Sequence, residues 1–252
     1  MSRTIFLDPG HGGRDPGALG PGGRRESDDN LRLANAVNTR LIAQGFRVIQ
    51  SRTTDIAVTL QQRTNQANAQ NPDLFISLHR NAFTNPGANG TEIFVFTNPT
   101  AAETAAAIEI MDRLAVVGVQ SNRGVKRGNF HVLRETRAPA MLIELGFITN
   151  VRDNQLFDSF LNEYADAIVM GVCTIFGVTY RAPNTPAPAP APSTGTALNR
   201  PEPTPPAAVN RLYRVQVGAF QVRENAERFL AQVHALGLDA FIIETETPTR
   251  PE

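Results

Sequence analysis

Cysteine is nearly absent from the 252 residues, and the one thiol, Cys173, lies in the apolar run Ala167–Phe176. A single cysteine excludes an intramolecular disulfide and a CxxC metal knuckle, and its apolar surroundings mark it as a core residue. Long hydrophobic runs are also missing. No stretch approaches the ~20 consecutive apolar residues of a membrane helix, and the N-terminus reaches Asp8 after only three apolar residues, Ile5, Phe6 and Leu7. The sequence as given is therefore expected to carry neither a transmembrane anchor nor a Sec signal peptide, with no membrane partner. Net charge is the third absence: 24 Lys and Arg face 24 Asp and Glu, with 17 against 17 over residues 1–180 and 7 against 7 over 181–252. Without a basic field to attract phosphate backbones, nucleic acid is not an expected partner. A monomer is expected.

Proline is present and unevenly placed, nine of the 18 lying between Ala182 and Ala208. That stretch has almost no large apolar residue and no helical or strand period, which reads as a semi-extended, polyproline-like linker. Three parts follow: a body over 1–180, a linker over 181–210 and a tail over 211–252. Only the body is long enough to bury a sizeable core alone.

In the body, strand-like and helix-like segments alternate. Arg3–Asp8 is a short apolar run stopped by Pro9-Gly10, and Asp29–Gln44 carries Leu31, Ala34, Val37 and Leu41 at helical spacing before Gly45, where a left-handed cap belongs. Strands are predicted over Phe46–Ser51, Leu74–Leu78, Glu92–Thr97 and Met141–Leu145, and helices over Leu60–Ala69, Ala101–Val117 and Tyr164–Phe176. This order predicts an α/β domain, a mostly parallel twisted sheet flanked by helices. In such sheets ligands bind beyond the carboxyl ends of the strands.

The residues with metal or acid–base chemistry fall at those ends. His11 follows the first strand in DPGHGG, His79 follows Leu74–Leu78 in SLHRN, and Glu144 sits at the end of the last strand inside AMLIELGF. An ionised carboxylate in such a run is costly unless a cation or donors meet it. Taken singly, His11 reads as a turn residue, His79 as a core histidine and Glu144 as a partner of a body arginine. Together they bring two imidazoles and a carboxylate to one sheet edge, with glycines around His11 leaving room for a ligand. Two histidines and a carboxylate with an open fourth position form a hydrolytic zinc set, in which the metal lowers the pKa of bound water to near ~7 and polarises a scissile carbonyl. Ligand and general base should be different carboxylates, and from the residues alone the third ligand is open among Asp8, Asp15, Glu26, Asp28 and Asp29. HExxH is absent, which excludes a helix-borne zincin site.

Four ordered blocks, IFLDPGHGGRDPGA at Ile5–Ala18, RESDDNLRLA at Arg25–Ala34, DLFISLHRNA at Asp73–Ala82 and FHVLRETRAPAMLIELGFITN at Phe130–Asn150, closely resemble the zinc-dependent N-acetylmuramoyl-L-alanine amidases often called amidase family 3, over about residues 3–178. The resemblance implies that His11, Glu26 and His79 bind Zn2+ and that Glu144 is the catalytic acid–base residue. Asn81, in S-x-H-x-N, becomes a candidate for binding substrate or orienting the site, with a turn-forming role as the alternative. Arg63 matches a helix arginine read as a structural salt-bridge partner. His131, beside a strand-like VLR segment, is read as a peripheral or surface residue. The implied substrate is peptidoglycan, cleaved between the lactyl group of N-acetylmuramic acid and the L-alanine of the stem peptide, with action in the cell wall or outside the cell. Export by lysis of the producing compartment would fit a sequence without a signal peptide. One alternative is a zinc peptidase acting on cell-wall peptides, with Arg134 or Arg123 receiving a free carboxylate. Another is a catalytically idle wall-binding protein, against which the full set of chemical residues argues.

The tail YRVQVGAFQVRENAERFLAQVHALGLDAFII, Tyr213–Ile243, resembles the first half of a sporulation-related repeat (SPOR) domain, a module that binds glycan strands stripped of stem peptides. It reads as one β-α-β unit where the family module has two. A lone unit of that size is marginal in water, which places its folding and glycan binding in question. His234, on its helix, is expected to be exposed.

Overall fold

The computed structural model describes residues 2–117, 121–182, 230 and 241–243. The chain divides into two units, Met1–Pro190 and Ala191–Glu252. The linker over 181–210, except Arg181 and Ala182, and nearly all of the tail, including its β-α-β reading and His234, lie outside the described residues. No helix among the described residues is long and apolar enough to cross a membrane.

The first unit is built from strands β1 (Thr4–Pro9), β2 (Arg47–Gln50), β3 (Leu74–Asn81), β4 (Thr91–Val95), β5 (Asn122–Arg127) and β6 (Ala140–Phe147), interleaved with helices α1 (Glu26–Ala43), α2 (Leu60–Gln70), α3 (Ala101–Ala115), α4 (His131–Arg134), α5 (Val151–Ser159) and α6 (Leu161–Ile175). The sheet order is β2-β1-β3-β6-β4-β5. The first four strands in that order run parallel, β4 is antiparallel to β6, and β5 is parallel to β4. The sheet is mostly parallel, as expected, with two reversed strands at one edge.

Alternation along the strands assigns their faces. Ile5, Leu7, Leu74, Ile76, Leu78, Met141, Ile143 and Leu145 pack with Leu33, Val37 and Leu41 of α1, Ile110 and Leu114 of α3, and Ile168 and Val172 of α6, where Cys173 is also buried. Phe6, Phe75 and Leu142, one residue out of phase, join Ala67 of α2 and Val132 and Leu133 of α4 in a much smaller cluster. Successive side chains of a strand point to opposite faces, so Asp8, Ser77, His79 and Glu144 share the face of the smaller cluster. The chemistry-bearing residues sit where apolar cover is thin.

The departures from expectation have local causes. Helix α1 starts at Glu26 rather than Asp29, because its first turn is polar and carries Glu26, Asp28 and Asp29. That turn is invisible to apolar periodicity but favourable at the positive end of the helix dipole. Two of its free N–H groups are met by the preceding loop, Glu26 N donating to Ala18 O and Ser27 N to Pro16 O. The segment read as strand-like around Val132-Leu133-Arg134 is instead the single turn α4, with Leu133 N donating to Phe130 O and Glu135 N to His131 O. A three-residue run is too short for its period to decide. The predicted cap at Gly45 has φ 88°, the left-handed conformation.

Candidate metal centre and active site

His11, Glu26 and His79 come from the loop after β1, the start of α1 and the end of β3, and one donor atom from each lies within 4.8 Å of the others. The two imidazoles address the two oxygens of one carboxylate: His11 Nε2 is 3.2 Å from Glu26 Oε2, and His79 Nδ1 is 2.9 Å from Glu26 Oε1. On its far side His11 Nδ1 donates to Asp15 Oδ2 at 2.8 Å, a contact that turns Nε2 inward. Burial opposes charge on His11, but the carboxylates of Glu26 and Asp15 outweigh it and push its pKa up to about 9. Burial likewise works against a charged Glu26, and the hydrogen bonds and charges of His11 and His79 overcome it, holding the carboxyl well below the usual carboxylate range.

The site depends on two close approaches that only glycine permits. A Cβ at Gly10 would fall 2.1 Å from Cε1 of His79, and one at Gly17 would fall 2.6 Å from Glu26 Oε2 and 2.7 Å from His11 Cδ2. This donor set of two imidazoles and a carboxylate, packed by glycines and oriented by Asp15, fits a zinc ion with room for a further ligand.

Glu144 lies opposite His79 in the β3–β6 register and opposite Glu92 in the β4–β6 register. Its Oε2 is buried and has no hydrogen-bond partner. Burial, reinforced by the charges of Glu26 and Glu92 and opposed by His79, pushes its pKa up to about 7. A carboxyl with that pKa can both accept and return a proton near neutrality. It lines a cavity of about 670 Å³ together with His11, Glu26 and His79, and the walls extend to Leu60 at the start of α2 and Phe130 before α4.

Beneath the cavity, Arg63 pairs with Asp8 at 2.6 Å, both buried, in the salt-bridge role expected of it. Asp8 also accepts from Ser51 Oγ and Ser77 Oγ, tying β1 to its neighbours on either side. Arg80, next to His79, is fully buried against Asp29 at 2.6 Å and Asn154 at 2.8 Å, and lies over the Phe157 ring.

Asn81 reaches the cavity wall, but its side chain is engaged: Nδ2 donates to Glu92 Oε1 at 2.7 Å and Oδ1 accepts from the Ala82 N–H at 2.8 Å. That arrangement braces the loop after β3. Arg134 is exposed on α4, bonded to Glu135 at 2.8 Å and to Asn129 Oδ1 at 2.7 Å, and is not among the residues that line the cavity. Arg123 is taken up by Glu92 at 2.7 Å, which Lys126 also contacts. His131, read as peripheral, lines the cavity, and its Nε2 is buried without a partner. Sequence reasoning missed Glu92, because only the antiparallel β4–β6 pairing brings it to Glu144.

The family model for N-acetylmuramoyl-L-alanine amidase matches residues 5–174. The chain belongs to this amidase family. A second match, to the SPOR domain, covers residues 209–250. The amidase is 35% identical over 243 residues to N-acetylmuramoyl-L-alanine amidase CwlM of Bacillus licheniformis, covering 95% of this chain and 84% of the relative. It has the same identity and coverage against the sporulation-specific N-acetylmuramoyl-L-alanine amidase of Bacillus subtilis strain 168. Among solved structures, an N-acetylmuramoyl-L-alanine amidase from Clostridium difficile 630 superposes with a TM-score of 0.67 at 34% identity, over 70% of this chain and 97% of that one. The catalytic domain of CwlV from Paenibacillus polymyxa var. colistinus gives 0.66 at 31% identity, over 70% of this chain and 99% of that one.

Proposed function

We propose that the chain is a zinc-dependent peptidoglycan hydrolase that cleaves the amide between N-acetylmuramic acid and the L-alanine of the stem peptide. In this reading His11, Glu26 and His79 hold the metal and Glu144 is the acid–base residue. The observation that carries it is the convergence of two imidazole nitrogens on the two oxygens of Glu26, across the sheet register from a half-buried Glu144 whose Oε2 is buried and without a partner. Zinc supplies Lewis acidity there, polarising the amide carbonyl and acidifying water. Glu144, as carboxylate, takes a proton from the attacking water. As the acid so formed, it returns one to the departing alanine nitrogen, so that one C–N bond breaks and a lactyl carboxylate and a free amine result. Asp15 keeps the His11 ring turned inward, and Asn81, bonded to Glu92, braces the cavity wall.

The peptidase alternative needs a free cation to receive a terminal carboxylate, and both arginines it would use are already paired, Arg123 with Glu92 and Arg134 with Glu135. The SPOR segment would bind wall glycan and hold the enzyme at the cell wall. The test is digestion of purified peptidoglycan: new N-terminal L-alanine should appear, vanish after treatment with a strong chelator and return with added zinc. Undiminished release by metal-free protein, or cleavage elsewhere in the peptide, would overturn the reading.

A further inference from the structure

One buried side chain outside the donor set is bonded to the backbone beside two of its members. Arg52 follows β2 and is 2 % exposed. No carboxylate pairs with it among the described residues. Its acceptors are backbone carbonyls instead: Nε donates to Pro9 O at 3.0 Å, Nη2 to Gly10 O at 2.8 Å and Ser27 O at 2.7 Å, and Nη1 to Thr54 O at 3.2 Å. Asp8, Asp28 and Asp55 attract it only from beyond ion-pair distance, and a buried cation with no directly paired carboxylate is costly, which points to a role beyond filling space.

The acceptors are not scattered. Pro9 and Gly10 lead directly into His11, and Ser27 follows Glu26. Gly10 is also the backbone against which the His79 ring lies, since a Cβ there would fall 2.1 Å from the ring. One guanidinium thus ties together the loop carrying His11, the helix start carrying Glu26 and the surface behind His79. His11 needs such support. It has φ 61°, a left-handed conformation that costs a non-glycine residue about 1–2 kcal/mol, and its neighbours Gly12 and Gly13 have no side chains to anchor the turn. Arg63 adds two bonds to the same loop, to Pro9 O at 2.8 Å and His11 O at 2.7 Å.

We propose that Arg52 is a positioning residue of the metal centre, setting the separation of His11 from Glu26 and the wall behind His79 through backbone carbonyls, so that the donors are arranged before the ion arrives. This rests on the metal-binding reading above. The experiment compares metal-free wild type, Arg52→Lys and Arg52→Met by zinc titration against a chromophoric chelator and by thermal unfolding without metal. Loss of a group that orients ligands typically weakens metal affinity about 10–100-fold, and that is the expected loss for Arg52→Met. Arg52→Lys keeps the charge, but a single nitrogen cannot span four carbonyls, so its affinity should fall as well. If both variants fold and bind zinc as tightly as wild type, with only the metal-free Tm lowered, Arg52 is structural and the proposal fails. Variants that do not fold at room temperature overturn it too, since Arg52 would then hold the domain and not the site. A wild type that fails to bind zinc would instead bring down the metal reading itself, an outcome separable from the other two.

Discussion

The two faces of the sheet are made by the same strands and do different work. On one, Ile5, Leu7, Ile76, Leu78, Ile143 and Leu145 meet three long helices and form most of the core. On the other, Phe6, Phe75, Ala140 and Leu142 meet α2 and the single turn α4, and the positions that follow towards the carboxyl ends include Asp8, Ser77, His79 and Glu144. A parallel sheet normally reads as apolar on both faces. Here the second face gives up apolar burial at the carboxyl ends of its strands, and the polar groups left there need partners. Stability and chemistry are divided by residue parity, and neighbouring residues of one strand should separate them experimentally.

The sharpest comparison is within β6. Glu144→Gln should leave the donor set intact and lower turnover about 10²–10⁴-fold, as expected for loss of a general acid–base group. Zinc content and turnover measured on one preparation check this, and a variant keeping more than about a tenth of the wild-type rate would remove Glu144 from the role. Ile143→Ala, one residue away and fully buried on the other face, should cost about 2–5 kcal/mol of unfolding free energy while leaving the turnover of the folded fraction unchanged. If the two substitutions gave the same phenotype, the division by face would be wrong.

The same carboxyl should betray its position through pH in the metal-free protein. Its folded pKa of about 7 lies above its ordinary value of 4.5, so folding favours the protonated form. The native state therefore loses stability as pH rises from 4.5 towards 7, and above that carries a penalty of about 3 kcal/mol at 1.36 kcal/mol per pKa unit. Metal-free Glu144→Gln should accordingly unfold at a higher temperature than wild type at pH 8 and at nearly the same temperature at pH 4. An unchanged difference across that range would show that the carboxyl is not held in a desolvated site.

Helices α2 and α3 lie on opposite faces and begin with the same capping box, Thr59 with Gln62 and Thr100 with Glu103. Thr59→Ala and Thr100→Ala should each cost about 1 kcal/mol. Only Thr59 lines the cavity, so only its replacement should raise KM. The smallest effect is expected from removing residues 191–252: turnover of a soluble muropeptide should not change, whereas pelleting with intact sacculi should fall, because a second attachment makes wall binding effectively intramolecular. A matching loss of turnover on the soluble substrate would end the targeting role.

Legibility in the sequence followed the same division. β1, β3 and β6 are dense apolar runs cut off by Gly-His, His-Arg-Asn or Glu-Leu-Gly, so both strands and site residues could be placed from them. Strand β5, Asn-Arg-Gly-Val-Lys-Arg at the sheet edge, has neither alternation nor an apolar run and was invisible. So was α5, whose start is marked by the Asn150 side chain accepting from Asp153 N and not by hydrophobic spacing. Choosing Glu26 over the nearby aspartates required the resemblance, since its contact with both imidazoles depends on α1 starting a turn's polar residues early. Arg52 carried no signal at all, because carbonyl acceptors leave no trace in residue types.

The place of β6 in the sheet has a consequence for the order in which the enzyme comes into being. Among the described residues it is the last strand in sequence, yet it lies between β3 and β4. The residues up to Pro139 already include His11, Glu26 and His79, and in the folded sheet β6 fills a slot about 10 Å wide, two strand spacings, between β3 and β4. The strand that fills the slot is also the one that brings Glu144. A chain ending before Ala140 would therefore lack both the strand between β3 and β4 and Glu144, the residue proposed as the acid–base group, and is expected to release no L-alanine from peptidoglycan.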